Sequence, residues 1–159
     1  MNLADVLHRA AVSALSPELP GSGDAAATWA AEELVAAGLA ADALYVVTSD
    51  GGAREALSFW AAAQETGMRF ANPGAFPWTL ANSATGRISQ ALGVTGPCTT
   101  HVGGRAALTD ALQDAEDDVA EGLARTVLVV SLHGDRRPSA EGGSVRVGLM
   151  AYLVSAGEQ

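Results

Sequence analysis

The chain has 159 residues, of which 48% are hydrophobic, and a formal net charge of −9; this is enough for one domain with its own core. The acidic balance excludes a nucleic-acid partner, which it would repel. All 9 basic residues are Arg, which excludes Schiff-base chemistry on Lys and a P-loop. The single cysteine, Cys98, excludes an internal disulfide and a Cys-rich zinc site, and we expect no metal and no cofactor.

In the N-terminal third, segments with apolar residues at helical spacing are separated by turn-forming residues. Residues 2–15 carry apolar side chains at helical spacing and predict an amphipathic helix, with Asp5, His8 and Arg9 interrupting any signal peptide. Residues 16–24, rich in Pro and Gly, predict a loop. A second helix is expected from an Asp24 cap to Gly38, and residues 44–48 read as a buried strand.

The middle of the chain predicts two further helices around an irregular segment. Ser49 to Gly52 form a turn into a helix over residues 53–66, which Gly67 ends. Residues 70–78 contain two prolines and a glycine and cannot be regular. A helix over residues 80–92 follows. Trp29 and Trp60 lie on the apolar faces of their helices, so we expect both in the core.

The last third predicts strands at residues 99–102, 126–132 and 145–154, with a helix at 104–121 and a surface loop at 133–143. The helix carries an acidic ridge opposite an apolar face. Its acids are Asp110, Asp114, Asp117, Asp118 and Glu121. A ridge of this kind is typical of a solvated helix face.

Helices that alternate with buried strands predict an α/β fold, layered α/β/α, with helices on both faces of the sheet. We expect a single domain over residues 1–159, with a helix and loop at 1–23 and the layered part at 24–159. No apolar run approaches the ~20 residues of a membrane span. We therefore expect a cytoplasmic protein without a membrane partner.

One segment has a recognisable form. It begins with N-S-A-T-G-R-I-S at residues 82–89, continues through Gly96-Pro97 and a short strand, and ends at Gly103, Gly104 and Arg105. This segment resembles the approach to the active site in β-ketoacyl synthases. The loop N-P-G-A-F-P-W-T-L-A-N at 72–82 and the runs at 107–115 and 122–130 are similar to the same family. The resemblance covers roughly residues 24–130 and implies the N-terminal half of a thiolase-like fold, with a mixed sheet.

The chain differs from that family at the positions of the catalytic residues. On the family's usual spacing from Gly96-Pro97, the nucleophilic cysteine falls on Arg105, or on Gly104 if one residue is missing. Neither side chain can attack a thioester. The family's two activating histidines lie in a C-terminal half that has no counterpart in these residues. None of the family's catalytic residues is therefore transferred to this chain, and we expect a protein without condensing activity.

The predicted start of the last long helix is a candidate site for an anion or acyl group. A helix N-terminus attracts negative charge, so Arg105, with Gly103 and Gly104, could recruit a carboxylate, phosphate or thioester oxygen. Alternatively, Arg105 points to solvent or pairs with a surface acid such as Asp110.

Two histidines are candidate bases. His101 lies on the predicted strand and reaches a thioester only if it faces the pocket, while His133 with Asp135 could form a base and the group that orients it. Alternatively, His101 faces away from the pocket, and His133 with Asp135 belongs to an ordinary polar loop at a strand end. Cys98 lies on the same strand as His101, and we expect it to be a buried thiol without a reactive role.

The resemblance also implies an assembly. The strand Thr99, Thr100, His101 and Val102 would lie at the sheet edge and pair with a second subunit, either in a homodimer or in a heterodimer with a ketosynthase relative. An acyl carrier protein, itself acidic, would be repelled by the ridge. A basic patch of Arg87, Arg136 and Arg137 could dock it instead.

These features favour a catalytically incompetent, chain-length-factor-like partner subunit in fatty-acid or polyketide biosynthesis, which shapes or gates an acyl pocket. One alternative is an isomerase or dehydratase that acts on a carrier-bound polyene with His101 or His133 as base. Another is a module that binds acyl chains or an acyl carrier protein.

Overall fold

The computed structural model describes residues 6–134 and 144–157. Its strands are β1 (Val6–Leu15), β2 (Leu19–Pro20), β3 (Ala43–Thr48), β4 (Cys98–Val102), β5 (Thr126–Gly134), β6 (Ser144–Val145) and β7 (Val147–Ala156). The helices are α1 (Gly23–Ala36), α2 (Ala53–Thr66), α3 (Ser83–Leu92) and α4 (Arg105–Glu121), with short 3-10 turns at Met68–Phe70 and Phe76–Thr79.

The main sheet has five strands in the order β1-β7-β5-β3-β4, and the short β2 and β6 pair with each other. The strand β3 runs parallel to β4 and β5, whereas β7 runs antiparallel to β5 and β1. The sheet is therefore mixed, as predicted. Among the described residues β4 has only β3 as a neighbour, so it is an edge strand.

Helices cover both faces of the sheet, which confirms the α/β/α prediction. On one face, α1 packs Trp29 and Leu34, and α3 packs Ile88, against Leu44 and Leu128 of the central strands. On the other face, α4 packs a row of small side chains against β3 and β5; the row is Ala107, Ala111, Ala115 and Val119. Because β3 and β5 are buried on both faces, they appear in the sequence as predominantly apolar runs.

The predicted N-terminal helix is wrong where the structure describes it, because residues 6–15 form the strand β1. This strand pairs antiparallel with β7, with an irregularity between Ala10 and Val12 that is typical of a β-bulge. Val6 packs on the α4 face and Val12 on the α1 face, so the bulge reverses which face alternate residues occupy. The alternation of a strand is thereby hidden, and the alanines imitate helical spacing.

The other helices and strands lie close to their predicted positions, with local corrections. Ser22 rather than Asp24 caps α1, and its side chain accepts a hydrogen bond from the Ala25 N–H. The strand predicted over 145–154 is interrupted at Arg146 between β6 and β7. His133 belongs to β5 instead of the loop that was predicted to follow it.

The helix α2 contradicts the prediction that Trp60 belongs to the core. Trp60 is 54% exposed and Leu57 74% exposed, and Ala63 is the one buried residue of this helix. The helix packs through Phe59 on Phe76 of the second 3-10 turn, with ring centroids 5.8 Å apart, rather than on the sheet. An amphipathic pattern shows which face is apolar but does not show what covers it.

Candidate functional site: the carboxyl end of the parallel strands

The parallel strands β3, β4 and β5 all end on the same side of the molecule, which we call the carboxyl end of the sheet. Open α/β sheets bind their ligands at this end, because the segments that leave the strands meet there. Here β3 leads into the Ser49 to Gly52 turn, β4 into Gly103 and Gly104, and β5 ends at Gly134. The segments that sequence analysis singled out therefore do lie at one end of the sheet.

A pocket of about 390 Å³ opens at the carboxyl end, on the α1 and α3 side. This volume is within the range of small-molecule sites. Trp78 and Leu80 come from the segment that leads into α3, Ala84 comes from the first turn of α3, and Leu132 and Val147 come from the sheet. The lining also includes polar groups from the starts of α1 and α2: Ser22, Gly23, Asp50, Arg54 and Glu55. The pocket is thus apolar on the sheet side and polar where two helices begin.

The start of α1 is closed by a carboxylate from α2. Glu55 Oε1 accepts a hydrogen bond of 2.7 Å from the Gly23 N–H. A negative charge there stabilises the positive end of the α1 dipole. This bond joins α1 to α2 at the pocket wall, so it holds the two helix starts in place.

The turn from β4 into α4 keeps a tight geometry. Gly103 has φ +150°, which favours glycine, and a Cβ at this position would lie 3.2 Å from the Ala107 Cβ. Its N–H donates to the Thr48 carbonyl over 2.8 Å, which ties the turn to the end of β3. Gly104 is the N-cap, without a side-chain capping bond, and Arg105 is the first residue of α4.

Arg105 lies at the carboxyl end but does not line the pocket. Its side chain is exposed, and it forms no ion pair with any described residue, including Asp110. The structure therefore places Arg105 at the mouth of a helix, where an anion would be attracted. It does not place Arg105 in the cavity.

His101 faces α4, away from the pocket. On β4, alternate side chains point to opposite faces, and Thr100 takes the α3 side through a 2.6 Å bond to the Thr85 hydroxyl. The His101 Nε2 lies 3.7 Å from Asp114 Oδ2, which is too long for a hydrogen bond. This nitrogen is fully shielded and has no hydrogen-bond partner among residues 6–134 and 144–157.

Tyr45, beside His101, is anchored to α4. The two rings are tilted, with centroids 5.7 Å apart, and the Tyr45 hydroxyl donates a hydrogen bond to Asp118 Oδ2. Burial, followed by this bond and by the charges of Asp118 and Asp114, raises the pKa of Tyr45 above its ordinary value. Asp118 is therefore not a free member of the acidic ridge, whereas Asp110, Asp114, Asp117 and Glu121 are exposed as predicted.

The structure does not bring the two candidate histidines together. His101 on β4 pairs with Val47 on β3, and Val47 pairs in turn with Ser131 on β5, the strand that carries His133. The strand β3 therefore lies between the two histidines. The His133 Nε2 is 2.8 Å from the Ser131 Oγ, and Ser131 is fully buried. Neither histidine lines the pocket. Asp135, the predicted partner of His133, lies outside the described residues.

The predicted interface strand is at the sheet edge, as expected. Val102 is 53% exposed, Thr99 is exposed, and Thr100 and His101 are partly covered. Cys98, which we expected to be buried, is exposed at the start of the same strand. The difference follows from the edge position, since β4 has a neighbouring strand, β3, on one side only among the described residues.

The predicted docking patch can be described only in part. Arg87 is exposed on α3, where its Nε donates to the Thr28 Oγ1 over 3.3 Å. Arg136 and Arg137 lie outside the described residues, so the patch stays a prediction.

Sequence reasoning missed an exposed apolar surface on and around α2. We call it the α2 surface; it consists of Leu57, Trp60, Met68, Phe70, Phe76 and Leu80, each between 49% and 74% exposed. Exposed apolar surfaces of this kind mark interaction sites. The signal was in the sequence, because Phe70 and Phe76 stand in a Pro- and Gly-containing segment that cannot enter a core layer.

Within residues 6–134 and 144–157, no group of three or more His, Cys, Asp and Glu side chains could hold a metal ion. None of the described helices is long and apolar enough to cross a membrane.

Comparison with solved structures gives this chain a ketosynthase-like, thiolase-like fold. A chain of the ishigamide ketosynthase/chain length factor has a TM-score of 0.55 and 23% identity, covering 72% of this chain and 36% of that chain. A chain of the ketosynthase ApeO in complex with its chain length factor ApeC, from Xenorhabdus doucetiae, has a TM-score of 0.56 and 20% identity, covering 83% and 57%. AbyA1, a tetronic acid condensing enzyme, has a TM-score of 0.51 and 15% identity, covering 96% and 54%.

This chain therefore spans between about a third and somewhat over half of those chains. No family model matches it, and no curated protein sequence matches it.

Proposed function

We propose that this protein is a non-condensing, ketosynthase-like partner subunit in fatty-acid or polyketide biosynthesis, which shapes or gates an acyl pocket beside a ketosynthase relative. The observation that carries the proposal is the turn from β4 into α4. The turn has the tight glycine geometry that presents a side chain at a helix mouth, but Arg105 stands there. A guanidinium cannot form an acyl-enzyme intermediate.

Cys98 does not replace the missing nucleophile. It pairs with Leu44 near the start of β3, whereas the turn into α4 follows Val102. Four residues of extended strand separate the Cys98 and Val102 Cα atoms by about 13 Å. The only thiol in the chain is therefore at the wrong end of β4 for chemistry at the helix mouth.

The pocket supports a role in holding an acyl chain. Its sheet side is apolar, through Leu132, Val145 and Val147, and Trp78 and Leu80 form a wall that belongs also to the exposed segment before α3. Because Leu80 is 49% exposed, a subunit that covers this segment would also change the pocket opening. This geometry suits a pocket that is completed or gated at an interface.

Two features support assembly through β4 rather than through α4. The edge strand β4 has unpaired backbone groups, and the α2 surface is apolar and exposed; both features favour association. The outer face of α4 instead carries exposed acids, Asp110, Asp114 and Asp117, and burying unpaired carboxylates against an apolar partner is costly. Two of the similar structures are themselves ketosynthase and chain length factor structures.

The enzymatic alternative is not favoured by the placement of its bases. An isomerase or dehydratase would need His101 or His133 at the acyl chain. His101 instead faces Asp114 of α4, and His133 contacts Ser131. Neither histidine lines the pocket.

Two measurements test the proposal. The purified protein should not decarboxylate a malonyl-carrier thioester above the uncatalysed rate, and decarboxylation by the protein alone would overturn the non-condensing assignment. A fluorescent long-chain fatty-acyl probe should bind the wild type and lose affinity in Ala81→Trp, which fills the pocket rim. The matched control is Ala91→Trp, an exposed α3 position that does not line the pocket. Equal affinities in both variants would contradict the acyl pocket.

A further inference from the structure

One buried polar atom has no role in the proposed function. The His101 Nε2 is shielded from solvent, yet no described residue is within hydrogen-bond distance. A buried nitrogen without a partner costs free energy, so proteins rarely keep one. The Asp114 Oδ2 lies 3.7 Å from it. An atom in this position would be satisfied by a small movement of either side chain.

The groups that face His101 are predominantly acidic. From α4 come Asp114 and Asp118, of which Asp118 already accepts the Tyr45 hydroxyl; Asp110 lies one turn before Asp114 on the same helix. From β3 comes Tyr45, whose hydroxyl is a neutral donor. Arg105 forms no ion pair with any of these acids. Within the described residues, the surroundings therefore offer carboxylate acceptors for an imidazole N–H.

Protonation changes what His101 can bond. Both ring nitrogens are donors in the imidazolium, whereas the neutral ring keeps one as an acceptor. A charge-assisted N–H···O bond is about 2.8 Å long, so Asp114 needs to approach by about 1 Å. Its side chain is 57% exposed and free to rotate. The contact at 3.7 Å is therefore close enough to shorten without moving the backbone of β4 or α4.

We propose that His101 and Asp114 form a proton-operated latch between the edge strand β4 and helix α4. The latch is open when the imidazole is neutral and closed when it is protonated. Closing it ties the strand that has only one neighbour to the helix above it. Because the stabilised form is the protonated one, the latch holds β4 on the acidic side of the histidine titration range and releases it as the pH rises through that range.

The latch has a consequence for assembly. A more rigid edge strand offers its unpaired N–H and C=O groups in a fixed geometry, so pairing with a second subunit would strengthen at lower pH. This consequence rests on the proposed function, but the latch itself does not. The experiment therefore observes β4 directly, in the protein alone.

The test is amide hydrogen exchange of β4, corrected for intrinsic rates, at about pH 5.5 and about pH 8, on either side of the range in which histidine titrates. An exposed ion pair stabilises by up to about 1 kcal/mol. The Gly103 N–H donates to the Thr48 carbonyl, and alternation along a parallel pair directs the Thr99 N–H to β3 as well. The protection of the Thr99 and Gly103 amides should therefore rise about two- to fivefold at the lower pH in the wild type. The rise should vanish in Asp114→Asn and in His101→Gln.

Glu116→Gln is the matched control, because Glu116 lies on the same helix and pairs with His8 across 2.9 Å. The pH-dependent protection of β4 should persist in this variant. The same rise in Asp114→Asn as in the wild type would overturn the latch. Loss of the rise in Glu116→Gln would also overturn it, because the effect would then belong to the general charge of α4.

Discussion

The side chain of Val102 occupies the space in which a Cβ of Gly51 would stand, with Cγ2 only 2.9 Å from that position. Gly51 also has φ +58°, where other L-residues are strained. The end of the edge strand β4 and the turn into α2 are therefore in direct contact because position 51 has no side chain. This contact connects the end of the free strand edge with the turn that leads into α2.

Gly51→Ala should lower the free energy of unfolding by about 1–3 kcal/mol, because it adds both backbone strain and a clash with Val102. Urea denaturation measures the change. The matched control is Gly86→Ala in the interior of α3, where an added Cβ meets nothing within 4 Å and should instead stabilise the helix by up to about 1 kcal/mol. Equal effects of the two changes would contradict the predicted contact.

The hydroxyl pair of Thr85 and Thr100 should behave as a unit. The two oxygens are 2.6 Å apart, and Thr85 is buried. Thr85→Val and Thr100→Val should each cost about 1–3 kcal/mol, because each leaves the other hydroxyl without this partner. The double variant should cost less than the sum of the two. Strictly additive free energies of unfolding would show that the bond does not join α3 to β4.

The sequence predicts those parts of this fold whose pattern has one explanation. Residues 44–48 and 126–132 are predominantly apolar runs between turns, and they do form the central strands, because β3 and β5 are buried on both faces. The strand β1 was not predictable, because its bulge breaks the period-two alternation. Only the pairing with β7, which is distant in sequence, decides between helix and strand there.

The candidate site was predictable only where one segment supplies it. The turn at Gly103, Gly104 and Arg105 is contiguous in sequence, so its position at the start of α4 follows from the pattern. The pocket could not be predicted, because its lining comes from distant segments, among them Gly21, Asp50, Trp78, Leu132 and Val145. The α4-facing direction of His101 depends on the register of an edge strand, which single-sequence patterns do not determine.

Tyr45 should make the stability sensitive to alkaline pH. Its pKa is raised in the folded state, so above the ordinary tyrosine pKa of about 10 the unfolded chain loses a proton that the native state retains. The unfolded state then binds fewer protons than the native state, so the free energy of unfolding should fall as the pH rises above about 10. Denaturation between about pH 8 and pH 11 should show this fall in the wild type.

Tyr45→Phe should remove that part of the pH dependence, since no phenol remains to ionise at this position. Tyr152→Phe, which removes the other tyrosine of the chain, is the control for a general loss of aromatic hydroxyls. A full alkaline slope retained in Tyr45→Phe would show that the bond to Asp118 does not control it.

A thiol at the mouth of α4 should be activated without restoring condensation. In a Cys98→Ser background, Arg105→Cys should react with iodoacetamide about three- to tenfold faster at neutral pH than Glu121→Cys, because the thiolate is stabilised at the start of a helix and destabilised at its end. Both positions are exposed on α4. Acyl transfer to the introduced thiol is compatible with the proposal. Condensation is not expected, because no described histidine lines the pocket; a condensed product would contradict this reasoning.

Assembly through β4 is tested by a charge at its exposed end. Val102 is 53% exposed, so Val102→Asp should be tolerated by an isolated subunit, whereas a buried carboxylate without a partner would oppose pairing at this edge. We expect the wild type to sediment as a dimer at micromolar concentration, with Val102→Asp shifting it to monomer while the far-ultraviolet circular dichroism stays unchanged. Leu7→Asp is the matched control, because Leu7 is similarly exposed, at 57%, on β1 at the opposite edge of the sheet. A wild type that remains monomeric, or an equal shift in both variants, would rule out β4 as the interface and remove the main support for a partner subunit.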